Sequence, residues 1–253
     1  MQSLIIARKE ILDHARDIRS LISSLFYALM GPLVVLMVSL GTTKSDKGGS
    51  MLLAMMSVFA LVATFVGGMN VAMDSIAGER ERRSLLPLLL NPIERVHVIL
   101  GKWLAIAFFA ACGLLVNLAG FRVVLAAAKL PVPDLLVPIA CGLIPLALLA
   151  AALELLISTF CRNVKEAHTY LSLLVFAPMG LGMFLVFFPQ MTQGWWFLWP
   201  IAGQQSMLML SLQGAHIAPG GAAALGLITI ASAALALLAA TSLLHRDEVV
   251  YGG

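Results

Sequence analysis

Apolar residues in this chain run in long blocks rather than alternating with polar ones. Six blocks, at about 21–41, 51–73, 97–128, 135–160, 169–189 and 221–244, reach or exceed the roughly 20 residues a helix needs to cross about 30 Å of hydrocarbon. Ten-residue stretches of alternating polarity are absent, so the spans are read as helices and not as strands of a barrel. Residues 1–20 carry a different pattern. Leu4, Ile5, Arg8, Ile11, Leu12, Ala15 and Ile18 fall along one face at helical spacing, with Lys9, Glu10, Asp13, Arg16 and Asp17 mostly on the other. That spacing predicts an amphipathic helix lying in the membrane interface, either as an anchor or as a lever on the spans. The expected fold is an all-α membrane protein forming one transmembrane domain over 1–253. It comprises an interfacial helix at 1–20, spans one and two at 21–73, a cytoplasmic segment at 77–95, spans three to five at 97–189, an outer segment at 190–219, and span six with a tail at 220–253.

Composition excludes an ordinary soluble domain: 60% of the 253 residues are hydrophobic and 11% charged, against about a quarter charged in soluble domains. The cations then set orientation, because short loops rich in Lys and Arg stay on the cytoplasmic side. With the N-terminus inside, twelve of the 16 Lys and Arg residues lie in inner segments, only Lys44, Lys47 and Lys129 in outer ones, and Arg122 within the third span. Both termini are therefore expected in the cytoplasm, with the chain in the inner membrane and no cleavable signal peptide. The formal charge of +3 then reflects topology and not nucleic-acid binding. Cys112 and Cys141 fall in spans and Cys161 at a span end, so they read as packing residues and not as disulfide partners or metal ligands.

One stretch breaks the apolar pattern. AGERERRSLLPLLLNPIERVHVILGKW, residues 77–103, holds eight of the 29 charged residues: Glu79, Arg80, Glu81, Arg82, Arg83, Glu94, Arg95 and Lys102. Span two is expected to end near Met73 and Asp74, giving way to a charged turn. Ser84 then caps a short helix over 85–90, with Pro87 tolerated in its first turn. Asn91, Pro92 and Glu94 repeat a helix-start signal leading into span three. Leu85, Leu86, Leu88, Leu89 and Leu90 are too few to cross a bilayer, so they need a partner, either headgroups or another protein. On the outer side, the segment 190–219 lacks Lys and Arg and carries Trp195, Trp196, Phe197 and Trp199, which suit a headgroup belt. Its GQQSMLMLSLQG run at 203–214 is too short to cross and reads as a re-entrant or interfacial helix.

The chain has no phosphate loop, HExxH, GxSxG or acidic calcium loop, and its five histidines are scattered over different segments. No catalytic, cofactor-binding or metal-ligating residue is assigned. The thirteen methionines are read as packing, with Cu(I) binding as the lesser reading. Polar residues inside spans are the next place to look, since charge at mid-bilayer is costly and functional by default. Glu154 shares a face with Ser158 and Arg162 at four-residue spacing, so it either snorkels or pairs toward the cytoplasmic end or lines a cavity. Arg122 reads as snorkelling outward. Asn70 and Asn117 hydrogen-bond neighbouring helices or, with Glu154, Gln204 and Gln205, line a pathway. Proline 145 is expected to kink span four, and Ala222 and Gly226 in span six permit close helix contact.

GERER at 78–82, the leucine-rich 85–90, the Asn91-Pro92 break, Glu94-Arg95 and Gly101-Lys102 together resemble the permease subunit of type-2 ABC exporters, in particular the branch that includes the sodium-export permeases. The topology matches over nearly the whole chain and the specific motif over 77–105. One departure is Arg83-Ser84, where Gly-Thr is commoner. The resemblance implies that the short cytoplasmic helix is a coupling helix docking on a separate ATPase, with Glu79, Arg80, Glu81, Arg82, Arg83, Ser84, Leu85, Leu86, Leu88, Leu89 and Arg95 as coupling residues. ATP and Mg would bind that partner. It further implies a second permease copy, re-entrant helices over 190–219 and outward transport of sodium, drugs, peptides or lipids. The competing readings are a secondary transporter working alone, which predicts broken helices in two repeated halves, and a membrane-embedded enzyme, which needs converging catalytic groups.

Overall fold

A computed structural model describes residues 2–41, 46–84, 87, 94–127, 136–188, 194–215 and 217–244. Among these there is no strand. Six helical stretches are long and apolar enough to cross a membrane: Ile18–Leu40, Leu52–Glu81, Arg95–Ala127, Ile139–Phe160, Val164–Phe187 and Pro219–Leu244. The helices are α1 (Gln2–Arg16), α2 (Ile18–Gly41), α3 (Asp46–Met73), α4 (Arg95–Ala127), α5 (Ile144–Phe160), α6 (Val164–Phe187), α7 (Ala202–Leu212) and α8 (Pro219–Leu244). Helix α3 is the most enclosed of the spanning helices, while α2 and α6 are the least. A core of small and branched residues joins α3, α4, α5 and α8 through Ala72, Ile76, Ile106, Ala151, Leu155 and Ala236. A second cluster at the other end gathers Leu61, Phe65, Leu114, Leu146 and Leu208.

Three boundaries and one turn differ from the sequence reading, each for a local reason. Span two does not end near Met73: it continues through a π-helical turn at Asp74–Gly78 and on to Glu81, so the expected charged turn is the end of a helix. Span five starts at Val164 because Asn163 caps it, its Oδ1 accepting the Glu166 N–H at 2.8 Å. Helix α4 starts at Arg95, leaving Glu94 just outside it, where its carbonyl accepts the His97 N–H at 2.9 Å; Asn91 and Pro92 lie outside the described residues. Where a kink at Pro145 is expected, the helix carries a π-helical turn at Ile139–Leu143, just before the proline. Such turns re-route the backbone ladder where a donor is missing.

The face assigned to Glu10 in the first helix also needs correction. Ala7 and Glu10 are its buried residues, while Leu4 and Ile5 are exposed. Glu10, assigned from spacing to the polar face, faces the bundle. The small residues of span six serve contacts within the chain, since Ala222 is fully buried and a Cβ at Gly226 would stand 2.7 Å from the Cys141 carbonyl oxygen.

Candidate functional site

The charged stretch and the start of α4 meet at one buried ion cluster. The side chain of Lys102 is 0% exposed, and its Nζ donates to Glu79 Oε1 at 2.8 Å, Glu10 Oε1 at 3.2 Å and the Ser75 carbonyl at 2.9 Å. All three ammonium protons can thus be used, as a buried cation requires. Lys9, 3.8 Å from Glu10 on the rim, brings a second positive charge to the two carboxylates. The π-helical turn is part of the design: it leaves the Ser75 carbonyl to Lys102, while Ser158 Oγ of α5 accepts the Ile76 and Ala77 N–H groups at 3.4 and 3.2 Å. Close approach of α1 depends on Gly101, where a Cβ would lie 2.7 Å from Ile6 Cβ and 2.9 Å from the Ser3 carbonyl oxygen. A polar cleft of about 300 Å³ opens beside the cluster, lined by Asp13, His14, Asp17, Asp74 and Arg82 among others.

Three of the neighbouring charges, Arg80, Glu81 and Arg95, each reach a different helix end. Arg80 donates to the carbonyls of Thr159, at 3.0 Å, and of Cys161, capping α5 with a cation where the helix dipole favours one. Glu81 accepts the Val164 N–H at 2.8 Å, placing an anion at the N-terminus of α6. Arg95 donates to the Leu244 carbonyl at 2.7 Å at the end of α8. Arg82 contacts Asp74 at 3.4 Å on the surface. Arg83 holds a left-handed backbone, φ 56°, the conformation a glycine adopts without a steric cost. This gives the Arg83 departure a physical consequence that residue type alone did not reveal. Ser84 turns back on the helix it follows, its N–H and hydroxyl both donating to the Glu79 carbonyl at 2.8 and 3.2 Å. Leu85, Leu86, Leu88 and Leu89 lie outside the described residues. Burial first and Glu166 second push the Cys161 thiol up to about 11, with Arg80 opposing, as suits a packing cysteine.

The polar positions inside the spans do not converge on one cavity. Asn70 donates to Ser23 and Ser24 of α2 at 3.0 and 3.1 Å, and Asn117 to the Ala28 carbonyl at 2.8 Å. Gln204 donates to Thr229 at 2.7 Å and accepts the Ile201 N–H at 2.6 Å, holding Ile201 at φ 72°, ψ −56°, a strained γ-turn geometry. Gln205 donates to Ser57 at 2.8 Å and is fully buried. Glu154 is 1% exposed, and neither carboxyl oxygen has a hydrogen-bond partner among the described residues. Snorkelling or pairing with Arg162 is therefore not what it does. Its carboxyl faces Gly68, where a Cβ would stand 2.7 Å from Oε2.

Sequence reasoning singled out Glu79 but not its partners as site residues. Lys102 stood in the quoted motif and Glu10 on a helix face, and only the fold brings them together. Among the described residues, no group of three His, Cys, Asp or Glu side chains could hold a metal.

The model of the ABC-2 family transporter protein matches residues 4–244. The ABC transporter permease protein NatB of Bacillus subtilis (strain 168) is 34% identical over 157 residues, which cover 56% of this chain and 40% of that relative. The match runs almost from end to end of the helical bundle just described, and the chain belongs to the ABC-2 family of transporter proteins.

Proposed function

We propose that the chain is the membrane-spanning permease subunit of an ATP-driven ABC exporter, working with a separate ATPase and a second permease copy. Supporting this reading most directly, one short charged segment is tied to five helices. Glu79 reaches α1 and α4 through Lys102, Arg80 and Ser158 join it to α5, and Glu81 joins it to α6, while α3 carries it. A push on residues 79–81 would thereby act directly on most of the bundle. ATP and Mg belong on the partner, whose closure would move this segment. Leu85, Leu86, Leu88 and Leu89 supply the apolar centre of the docking surface and Arg82, Arg83 and Arg95 its charged rim. Helix α1 lies in the interface, both termini face the cytoplasm of the inner membrane, and 190–219 re-enters from the outer side. The exported substrate is one of those the resemblance implies: sodium ion, drug, peptide or lipid.

Purification of the tagged chain from its native cells in mild detergent tests the reading. A stoichiometric ATPase should co-purify and hydrolyse ATP, and Leu86→Asp with Leu89→Asp should release it. A chain that emerges alone without hydrolysis would shift the assignment to a self-sufficient transporter. For orientation, a cysteine at Gln213, exposed at the end of α7, should react with an impermeant thiol reagent added outside. Labelling from the cytoplasmic side alone inverts the topology.

A further inference from the structure

Helix α1 does not close fully onto the bundle. A groove of about 550 Å³ runs between α1, α4 and α5, lined by Leu4, Arg8, Ile11, Leu104, Phe108 and Leu148 among others. That volume falls within the roughly 300–1,000 Å³ of small-ligand sites. The lining is apolar except for Arg8, which is exposed and makes no hydrogen bond or ion pair among the described residues. The groove continues into a strip on the outside of α4, where Phe108, Leu115 and Val123 recur at seven- and eight-residue spacing and are 48%, 57% and 69% exposed. In a membrane-spanning helix that strip faces hydrocarbon. The groove therefore offers one guanidinium on its α1 wall, beside apolar surface that runs on along α4.

We propose that this groove holds one acyl chain of an anionic phospholipid, with the lipid phosphate on Arg8. Guanidinium binds phosphate through two parallel hydrogen bonds, and membrane surfaces rich in anionic lipid attract such cations. The chain fills apolar surface that α1 leaves uncovered, and the headgroup fixes the helix at interface depth. This inference requires only that the chain spans a membrane, so it can fail while the exporter reading stands.

The test is lipid retention by the full-length chain in mild detergent, titrated with phosphatidylglycerol or phosphatidylcholine and read by native mass spectrometry. Wild type should retain phosphatidylglycerol preferentially. Arg8→Gln should weaken that retention about fivefold, Arg8→Lys should keep part of it, and Arg16→Gln, on the same helix but away from the groove lining, should not change it. Equal retention of the two lipids, or an unchanged preference in Arg8→Gln, overturns the proposal. So does cross-linking of Leu12→Cys between two copies, which would place a second copy on the groove.

Discussion

Lys102 and Glu154 are both 1% exposed, yet they are treated oppositely. Lys102 has two carboxylates and a carbonyl within 3.2 Å, whereas both oxygens of Glu154 lack partners among the described residues. Burying an ionisable group costs several kcal/mol unless it is paired. The Lys102 cluster meets that cost at a junction of three helical elements, where pairing also fixes their arrangement. Glu154 leaves it unmet in the middle of the α3–α4–α5 packing, where an apolar side chain would pack equally well. The first is thus a structural joint, and the second is a candidate for a group retained for function.

Removing Lys102 should produce the largest effect. Lys102→Met leaves Glu10 and Glu79 facing each other without the buried cation, and loss of one partner from a buried ion cluster costs about 3–5 kcal/mol. The thermal midpoint in detergent should fall sharply, and Glu10→Gln with Glu79→Gln added should restore part of it. A midpoint unchanged by Lys102→Met would remove the joint. Glu154→Leu should act in the opposite direction, raising stability by about 1–3 kcal/mol because an unpartnered polar group leaves the core, while transport falls. Gly68→Ala sharpens the contrast: its Cβ would lie 2.7 Å from Glu154 Oε2 and 2.8 Å from Ile106 Cγ2, so it should destabilise, and less so in the Glu154→Leu background. If Glu154→Leu instead lowers stability with transport intact, Glu154 is a structural residue.

Legibility in the sequence follows the range of the interactions. The six spans were readable because hydropathy over 20 residues averages out local detail, and their ends shifted where a cap such as Asn163 or a π-helical turn intervened. Glu154 was also readable, since a carboxylate in an apolar block is conspicuous. The joint was not: Glu10 and Lys102 are 92 positions apart, just as the separate pair Gln205 and Ser57 is split by 148, and no periodicity reports a contact made by helix crossing. The face assignment of α1 failed for the same reason, because the partner that buries Glu10 is far along the chain.

Arg80 tests whether the joint extends beyond Lys102. It is half-buried and its guanidinium serves the Thr159 and Cys161 carbonyls, so Arg80→Ala should cost about 1–2 kcal/mol. Hydrogen exchange should quicken at the last turn of α5 before it does in α8. Equal loss of protection in both helices would mean that Arg80 acts on the whole bundle and not on one helix end.

The smallest effect concerns Arg83, where the charge is exposed and the backbone is what matters. Its φ of 56° places the side chain in a region that costs an L-residue about 1 kcal/mol, and glycine enters it without that cost. Arg83→Gly should therefore raise the thermal midpoint slightly, by about 0.5–1 kcal/mol equivalent, whereas Arg83→Val, β-branched, should lower it. The comparison with Lys102 becomes sharp if Arg83→Gly leaves the protein folded and more stable but weakens co-purification of the proposed ATPase partner. Stability and docking would then separate within one segment: Lys102 and Arg80 hold the bundle, and Arg83 carries charge on the surface offered to the partner. An ATPase bound with unchanged affinity would instead place Arg83 outside the docking rim.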